Sequence, residues 1–512
     1  MSDIESSEHT PLLSPSSTAS SDTISPDAPD RSVEHDTIPE TATYGRNISW
    51  SSAYILVISR VLGSGIFATP GSIVKSVGSI GLALSLWVVG TVLSACGLAV
   101  SLEYGSSTLV AVQAVLLGFT ASNCIIFSKY TYFAFDIVPS DVQNKILAVG
   151  LLTGVTIMHG CFMRAGIVIQ NALGWLKIFL VAFMALSGVY VILFHQGGDF
   201  AGTLTMNKQG DLWKDLWADS DWSWNTISTS LFKVFYSYAG LSNANNVLNE
   251  VKNPVRTLRS VSLAALITSC LLYMLANVAY FLVVPLDEIK QSGELVAALF
   301  FERAFGPTWG KTFLPLMIAV SAAANVMVVT FALARVNQEV ARQGFLPFAR
   351  IISSSKPFNS PFWGLIIHYI PSLLVIVLPS QGAVYNFILD VEGYPGQIFG
   401  LAVAAGLVLL RHRRPDLKRP FKAWLPAVWL RIATSIALLA APFFPPPDWK
   451  GDVDFFYATY AIVGVGIILF GIVYWYIWTV LLPRLGNYTL EEESEVLDDG
   501  TSITKLVHRS KI

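Results

Sequence analysis

Apolar runs of about 20 residues recur along this chain, and a run of that length crosses the hydrocarbon core of a bilayer as one helix. Twelve are counted, over residues 50–74, 80–104, 109–134, 145–162, 166–194, 224–250, 258–284, 311–335, 361–379, 383–410, 424–443 and 456–482. Charged residues are only 13% of the 512 and hydrophobic residues 53%, where soluble chains carry about 25% charged residues. Mean hydropathy is +0.56. The sequence therefore predicts an all-α polytopic membrane protein of about twelve transmembrane helices, solvated by the lipid bilayer. A net charge of −2, with its basic residues in short loops, gives no basis for nucleic-acid binding. Residues 1–48, rich in Ser, Thr, Asp, Glu and Pro, are expected to be a disordered tail. Residues 49–485 hold the twelve spans and 486–512 a second tail. The first span is expected to serve as an uncleaved insertion signal.

Loop charges orient the spans. Loops after even-numbered spans hold Arg164; Lys252, Arg256 and Arg259; Arg335, Arg342, Arg350 and Lys356; then Arg411, Arg413, Arg414, Lys418, Arg419 and Lys422. Loops after odd-numbered spans collect acids, among them Asp136, Asp219, Asp221, Asp287, Glu288, Glu294 and Asp452. The basic loops and both termini are therefore expected in the cytoplasm. Trp222, Trp224, Trp309, Trp363, Trp424, Trp475 and Trp478 sit near span ends, as an interfacial aromatic belt does.

Two spans are broken in the middle. Gly63-Ser64-Gly65-Ile66 interrupts the first and Tyr238-Ala239-Gly240-Leu241-Ser242 the sixth. Each glycine costs roughly 1 kcal/mol against alanine inside a helix, so both stretches are expected to unwind. Non-helical backbone at membrane depth survives only against protein or a watery cavity. Close helix packing explains one such glycine pair. Matching breaks in two halves of one chain point instead to a transporter's substrate site.

The run Gly63-Ser64-Gly65-Ile66-Phe67-Ala68-Thr69-Pro70-Gly71 resembles the first-span signature of the amino acid–polyamine–organocation superfamily. Tyr236-Ser237-Tyr238-Ala239-Gly240 and Asn249-Glu250-Val251-Lys252-Asn253-Pro254 resemble its sixth span and exit. Arg335-Val336-Asn337-Gln338-Glu339, Gly344-Phe345-Leu346-Pro347 and Glu392-Gly393-Tyr394-Pro395-Gly396 narrow the likeness to the L-type amino-acid transporters, with fungal high-affinity methionine permeases most similar. The resemblance runs from about residue 50 to 485. It implies a five-plus-five inverted repeat in spans 1–10, with discontinuous helices 1 and 6 and two peripheral spans added. The implied activity is secondary transport of a neutral, methionine-like L-amino acid by alternating access, with a proton as coupling ion, no cofactor and no enzymatic step. One departure concerns spans 2 and 3. Relatives carry a polar cytoplasmic stretch there, whereas Glu103-Tyr104-Gly105 runs through Ser106-Ser107-Thr108 into Leu109. Either the inward gate is shortened or the gene has lost an exon, and the second reading is favoured.

An amino-acid carrier has to replace water around a carboxylate and an ammonium. Backbone N–H groups of Ser64, Gly65 and Ile66, at the positive end of the half-helix starting near Phe67, suit the carboxylate. Carbonyls of Tyr236 and Tyr238, with Ala239 and Gly240 permitting close approach, suit the ammonium. By resemblance, Tyr236 is an aromatic lid, and Leu241 stands where a Trp is often found. Ser122 and Asn123 in span 3, and Ser321 and Asn325 in span 8, read equally as pocket lining or as interhelical hydrogen bonding. Lys177 lies about eleven residues into span 5, where a charge costs roughly 2.5–3.5 kcal/mol and needs a purpose. Desolvation works against the charged form of an amine. Lys177 is therefore a candidate for proton coupling, the alternative being a fixed cation that braces the first break. Some relatives place a span-5 lysine where sodium-coupled cousins bind their ion. Arg60 pairs on this reading with Asp390 or Glu392 as a gate or structural ion pair, the alternative being a hold on the substrate carboxylate. Glu103 and Glu250 are candidates for gate bridges to arginines such as Arg335, with ordinary interfacial charge as the competing reading.

Cys96, Cys124, Cys161 and Cys270 have no paired spacing, so neither a metal site nor a disulfide-linked heavy chain is expected. His159 and His368 read as satisfied packing residues. Glu8-His9-Thr10-Pro11-Leu12-Leu13 fits an acidic di-leucine signal, and Ser14-Pro15 and Ser25-Pro26 are phosphorylation candidates. Sorting and ubiquitin machinery are thus candidate partners, the latter through Lys505 or Lys511 because the first tail lacks lysine. Asn47 and Asn487 are expected to be unglycosylated. Residence is expected in the plasma membrane, with vacuolar or endosomal membranes as alternatives. Two rival readings stand beside transport: a non-transporting amino-acid sensor, and an inactive product of a gene lacking the segment between spans 2 and 3.

Overall fold

Helices α1 (Trp50–Val61) and α2 (Gly65–Val77) form span 1, broken between them as the glycines predict. The computed structural model describes residues 49–103, 118, 120–194, 212–241, 254–354, 356, 358, 360–378, 384–416, 419, 421–446, 456–496 and 502–510. The first tail, the Tyr104–Leu109 connection, the sixth-span exit through Glu250 and the di-leucine stretch lie outside these residues.

Span 2 is α3 (Ile80–Glu103), span 3 contains α4 (Ala121–Ala134), span 4 is α5 (Asp141–Cys161) and span 5 is α6 (Met163–Phe194). A short α7 (Leu212–Trp217) precedes α8 (Trp224–Ser237), the described half of span 6, and α9 (Pro254–Val283) is span 7. Short helices α10 (Leu286–Ser292) and α11 (Val296–Thr308) lead into α12 (Leu314–Arg342), span 8. After α13 (Ala349–Ile352), spans 9 to 12 are α14 (Phe362–Val377), α15 (Val384–Arg413), α16 (Leu425–Leu439) and α17 (Thr459–Tyr476), followed by α18 (Leu482–Leu485). Among the described residues nine helical segments are long and apolar enough to cross a membrane, and Phe362–Val377 is a shorter apolar one. With α4 and α8, which adjoin undescribed residues, each of the twelve predicted stretches contains a helix.

The packing repeats itself with a shift of five spans. Span 1 rests on span 7 as span 6 rests on span 2, and span 5 touches spans 7 and 8 as span 10 touches spans 2 and 3. Pairs 2–7, 3–8 and 4–9 map onto themselves under the same exchange. Two five-helix units that interlock this way are an inverted repeat, and spans 11 and 12 pack outside it against span 10.

Local chemistry sets the helix ends. Ser140 and Gln143 form a reciprocal capping box at the start of α5, which fixes that helix at Asp141. Span 3 departs from expectation: Gly118 and Thr120 are non-helical and the helix starts at Ala121. The His368 ring makes up for the lost helical bonds there. Its Nδ1–H donates to the Gly118 carbonyl at 2.8 Å, while Nε2 accepts from Thr120 and Thr330 hydroxyls at 3.3 and 3.2 Å. The second tail contains an antiparallel hairpin of β1 (Tyr488–Val496) and β2 (Ser502–Ser510), an addition to an otherwise helical fold.

Candidate functional site

The first break follows from Gly63 and Ser64. Leu62 and Gly63 N–H groups close α1 onto Ile58 and Val61 carbonyls at 2.9 and 2.7 Å. The Ser64 carbonyl then starts α2 by accepting from Phe67 and Ala68 at 3.1 and 3.0 Å. Ser64, Gly65 and Ile66 N–H groups fall in the first turn of α2, where an α-helix offers no internal acceptor and its dipole is positive. Pro70 removes the donor that the Ile66 carbonyl would otherwise meet. Tyr280 of α9 replaces it, donating to that carbonyl at 3.1 Å, and Tyr130 of α4 donates to the Phe67 carbonyl at 2.8 Å.

The second break is reached in the same small volume. A Cβ on Gly65 would come within 2.9 Å of Ser237 Cα, so the helix ends that border the two breaks meet there only because residue 65 is glycine. Thr69 and Ser237 hydroxyls join at 2.9 Å. The single hydroxyl proton of Tyr273 of α9 is shared between the carbonyls of Val61 and Ser237, at 3.0 and 2.7 Å, one on each side of the junction. Gly240 takes φ +112, a left-handed value that leaves its Cα against the Arg60 side chain. Ala239 is exposed at this turn. The Tyr236 and Tyr238 carbonyls, expected to be open, each accept one backbone N–H, from Ala239 at 3.0 Å and Leu241 at 3.5 Å. Each oxygen keeps a second lone pair. The Tyr238 hydroxyl bonds Thr91 at 2.7 Å, and its ring packs edge-on against Tyr273 with centroids 5.1 Å apart. Leu241 is buried in the core.

A chain of hydrogen bonds crosses this junction through five spans. Lys177, 1% exposed, donates to the Ser59 carbonyl at 2.7 Å and to Asn325 Oδ1 at 3.2 Å. Asn325 Nδ2, which lies against Gly63, donates to Asn123 Oδ1 at 3.2 Å. Asn123 Nδ2 donates to the Tyr236 hydroxyl at 3.1 Å, and that hydroxyl also meets Ser64 at 3.1 Å and Ser122 at 2.9 Å. Lys177 thus braces the turn before the first break, and Tyr236 latches span 6 to spans 1 and 3.

Other expected contacts fall differently. Glu392 is the carboxylate whose charge acts on Arg60; Asp390, two residues earlier, points about 200° away around the helix. Ser321 lies one turn from Asn325 on the same face, and its hydroxyl is buried without a partner among the described residues. Glu103 does not bridge to Arg335. Its fully buried carboxylate takes Arg411 in a two-pronged pair, Arg419 at 3.5 Å and the Ala423 N–H at 2.6 Å, because the end of α3 lies under the loop after span 10. Arg335 instead covers the Phe331 ring at 4.2 Å. His368 is satisfied, but both ring nitrogens of buried His159 lack a partner among the described residues, and its ring packs on Phe331. All four cysteines are free, and among the described residues no group of three His, Cys, Asp or Glu side chains is placed to hold a metal.

Sequence reasoning missed Tyr130, Tyr273 and Tyr280, whose hydroxyls hold the broken backbone. Two signals were present: Pro70, which orphans the Ile66 carbonyl, and the seven-residue spacing of Tyr273 and Tyr280, which puts both on one face of α9.

The family model for amino acid permeases matches residues 107–468. The chain belongs to the amino acid permease family. It is 31% identical to a low-affinity methionine permease of Saccharomyces cerevisiae, over 91% of this chain and 88% of the relative. Identity to a high-affinity methionine permease of the same yeast is 30%, over 87% and 81% of the two chains. A b(0,+)-type amino acid transporter of Mus musculus is 26% identical, over 82% of this chain and 87% of that one. Membership in this family makes the chain an integral multi-pass membrane permease, not an enzyme.

Proposed function

We propose that this chain carries neutral L-amino acids, methionine-like in side chain, across its membrane by proton-coupled alternating access. The observation that carries the reading is the junction of the two breaks, in contact at Gly65 and Ser237 and tied by Tyr273. A zwitterion brings the two charges this junction lacks. Its carboxylate suits the Ser64, Gly65 and Ile66 N–H groups at the positive end of α2, and its ammonium suits the Tyr236 and Tyr238 carbonyls at the negative end of α8. The methionine permeases among the relatives support that substrate class.

Tyr236 closes the site on one side, and opening requires its hydroxyl to give up Ser64, Ser122 and Asn123. Lys177 is the coupling residue: it links the α1 backbone to Asn325 of span 8, so loss of its proton weakens the tie between the moving broken span and span 8. The basic loops face the cytoplasm, and the plasma membrane is the site of action.

Uptake of radiolabelled L-methionine in cells lacking their own permeases tests the reading. Saturable uptake that rises on an inward proton jump and disappears in Gly65→Leu is the expected result. Uptake indifferent to the jump removes the proton coupling, and uptake indifferent to Gly65→Leu removes the site.

A further inference from the structure

Tyr385 stands in the first turn of α15 with its side chain 0% exposed. Its hydroxyl is buried and has no hydrogen-bond partner among the described residues. The ring meets Tyr236 edge to face, with centroids 6.4 Å apart and planes at 89°. Ser64 Oγ is the polar group beside the Tyr385 hydroxyl, near enough to interact without meeting hydrogen-bond geometry. A buried donor left unpaired is costly, and this one sits over the same first turn of α2 that leaves three N–H groups without helical acceptors. A helix start and an orphaned hydroxyl that converge on one point share one need, an anionic oxygen.

We infer that Tyr385 is a substrate-binding residue whose O–H donates to the carboxylate of the carried amino acid and selects it against uncharged analogues. The inference rests on the proposed amino-acid site and adds to it a donor from span 10. An amide in place of the carboxylate has lost the charge that strengthens such a bond, so the hydroxyl discriminates between acid and amide where a bare helix start discriminates less. Ser64 is held by Tyr236 in the closed arrangement, which leaves Tyr385 as the side-chain donor available to an arriving anion.

The test compares wild type with Tyr385→Phe, which removes one oxygen and no packing atoms, and with Tyr385→Met, which keeps bulk without a donor. Radiolabelled L-methionine uptake gives KM and Vmax, and competition by L-methioninamide gives its inhibition constant. Both variants are expected to raise KM about tenfold, or about 1.4 kcal/mol, with Vmax within about twofold. The inhibition constant for the amide stays put, so acid-over-amide preference falls by the same factor. Variants that match wild type in KM and in acid-over-amide preference overturn the assignment of Tyr385 alone. A wild-type chain that neither binds nor transports amino acids overturns the site reading and this inference with it.

Discussion

One oxygen, on Tyr273, touches both broken spans, so its removal is felt on each side of the junction. Tyr273→Phe takes from the buried Ser237 carbonyl its donor among the described residues, while the Val61 carbonyl keeps the Gly63 N–H, and a destabilisation of about 1–3 kcal/mol follows. Denaturant or thermal unfolding of the purified protein reads it, and an unchanged midpoint removes the clasp. Gly65→Ala is predicted to abolish uptake at normal surface expression, because its methyl group runs into Ser237, whose Oγ and Cα would lie 2.6 and 2.9 Å away, and the Cα cannot swing aside. At this scale the sequence spoke clearly for glycine, lysine and the paired breaks. It was silent on tyrosine, because a tyrosine in an apolar span looks like any other large core residue until the carbonyl it serves is located.

Helix α2 survives a proline in its middle because a neighbouring helix supplies the missing donor. That compensation predicts coupling: Tyr280→Phe costs about 1–3 kcal/mol alone, and measurably less in a Pro70→Ala background, where the residue-70 N–H returns to the Ile66 carbonyl. A double-mutant cycle on thermal stability isolates the term, and strict additivity contradicts it. The end of α3 offers a second case. Glu103→Ala strands Arg411 and Arg419 beneath the loop after span 10, with an expected loss of about 3–5 kcal/mol that Glu103→Gln only partly spares. Charge pattern alone pairs Glu103 with cytoplasmic arginines such as Arg335; its partners are arginines, but Arg411 and Arg419, since a sequence shows that an acid and several arginines share a membrane face but not which helix end they share.

Across the whole molecule, the shift-by-five packing brings spans 1, 3, 5, 6 and 8 to one point, and sidedness is the property left to measure. In a cysteine-free background, Asp219→Cys is expected to react with an impermeant maleimide in intact cells, and Arg414→Cys only after permeabilisation. The reverse pattern inverts the topology read from loop charge. Helix number and the two interruptions were legible because lipid forces one periodicity on every span, and deviations from it stand out. The non-helical start of α4 and the hairpin at residues 488–510 were not. The first depends on His368, some 250 positions along the chain, and the second lies beyond the lipid constraint that made the rest readable.

What the sequence determined alone was everything set by local physics: spans of the right length, breaks where glycine weakens a helix, and a buried lysine that had to have a use. Only the tertiary structure decided which groups meet at those breaks. Many of the hydrogen bonds between spans at the site join residues more than a hundred positions apart, and neither composition nor period carries information about such pairings.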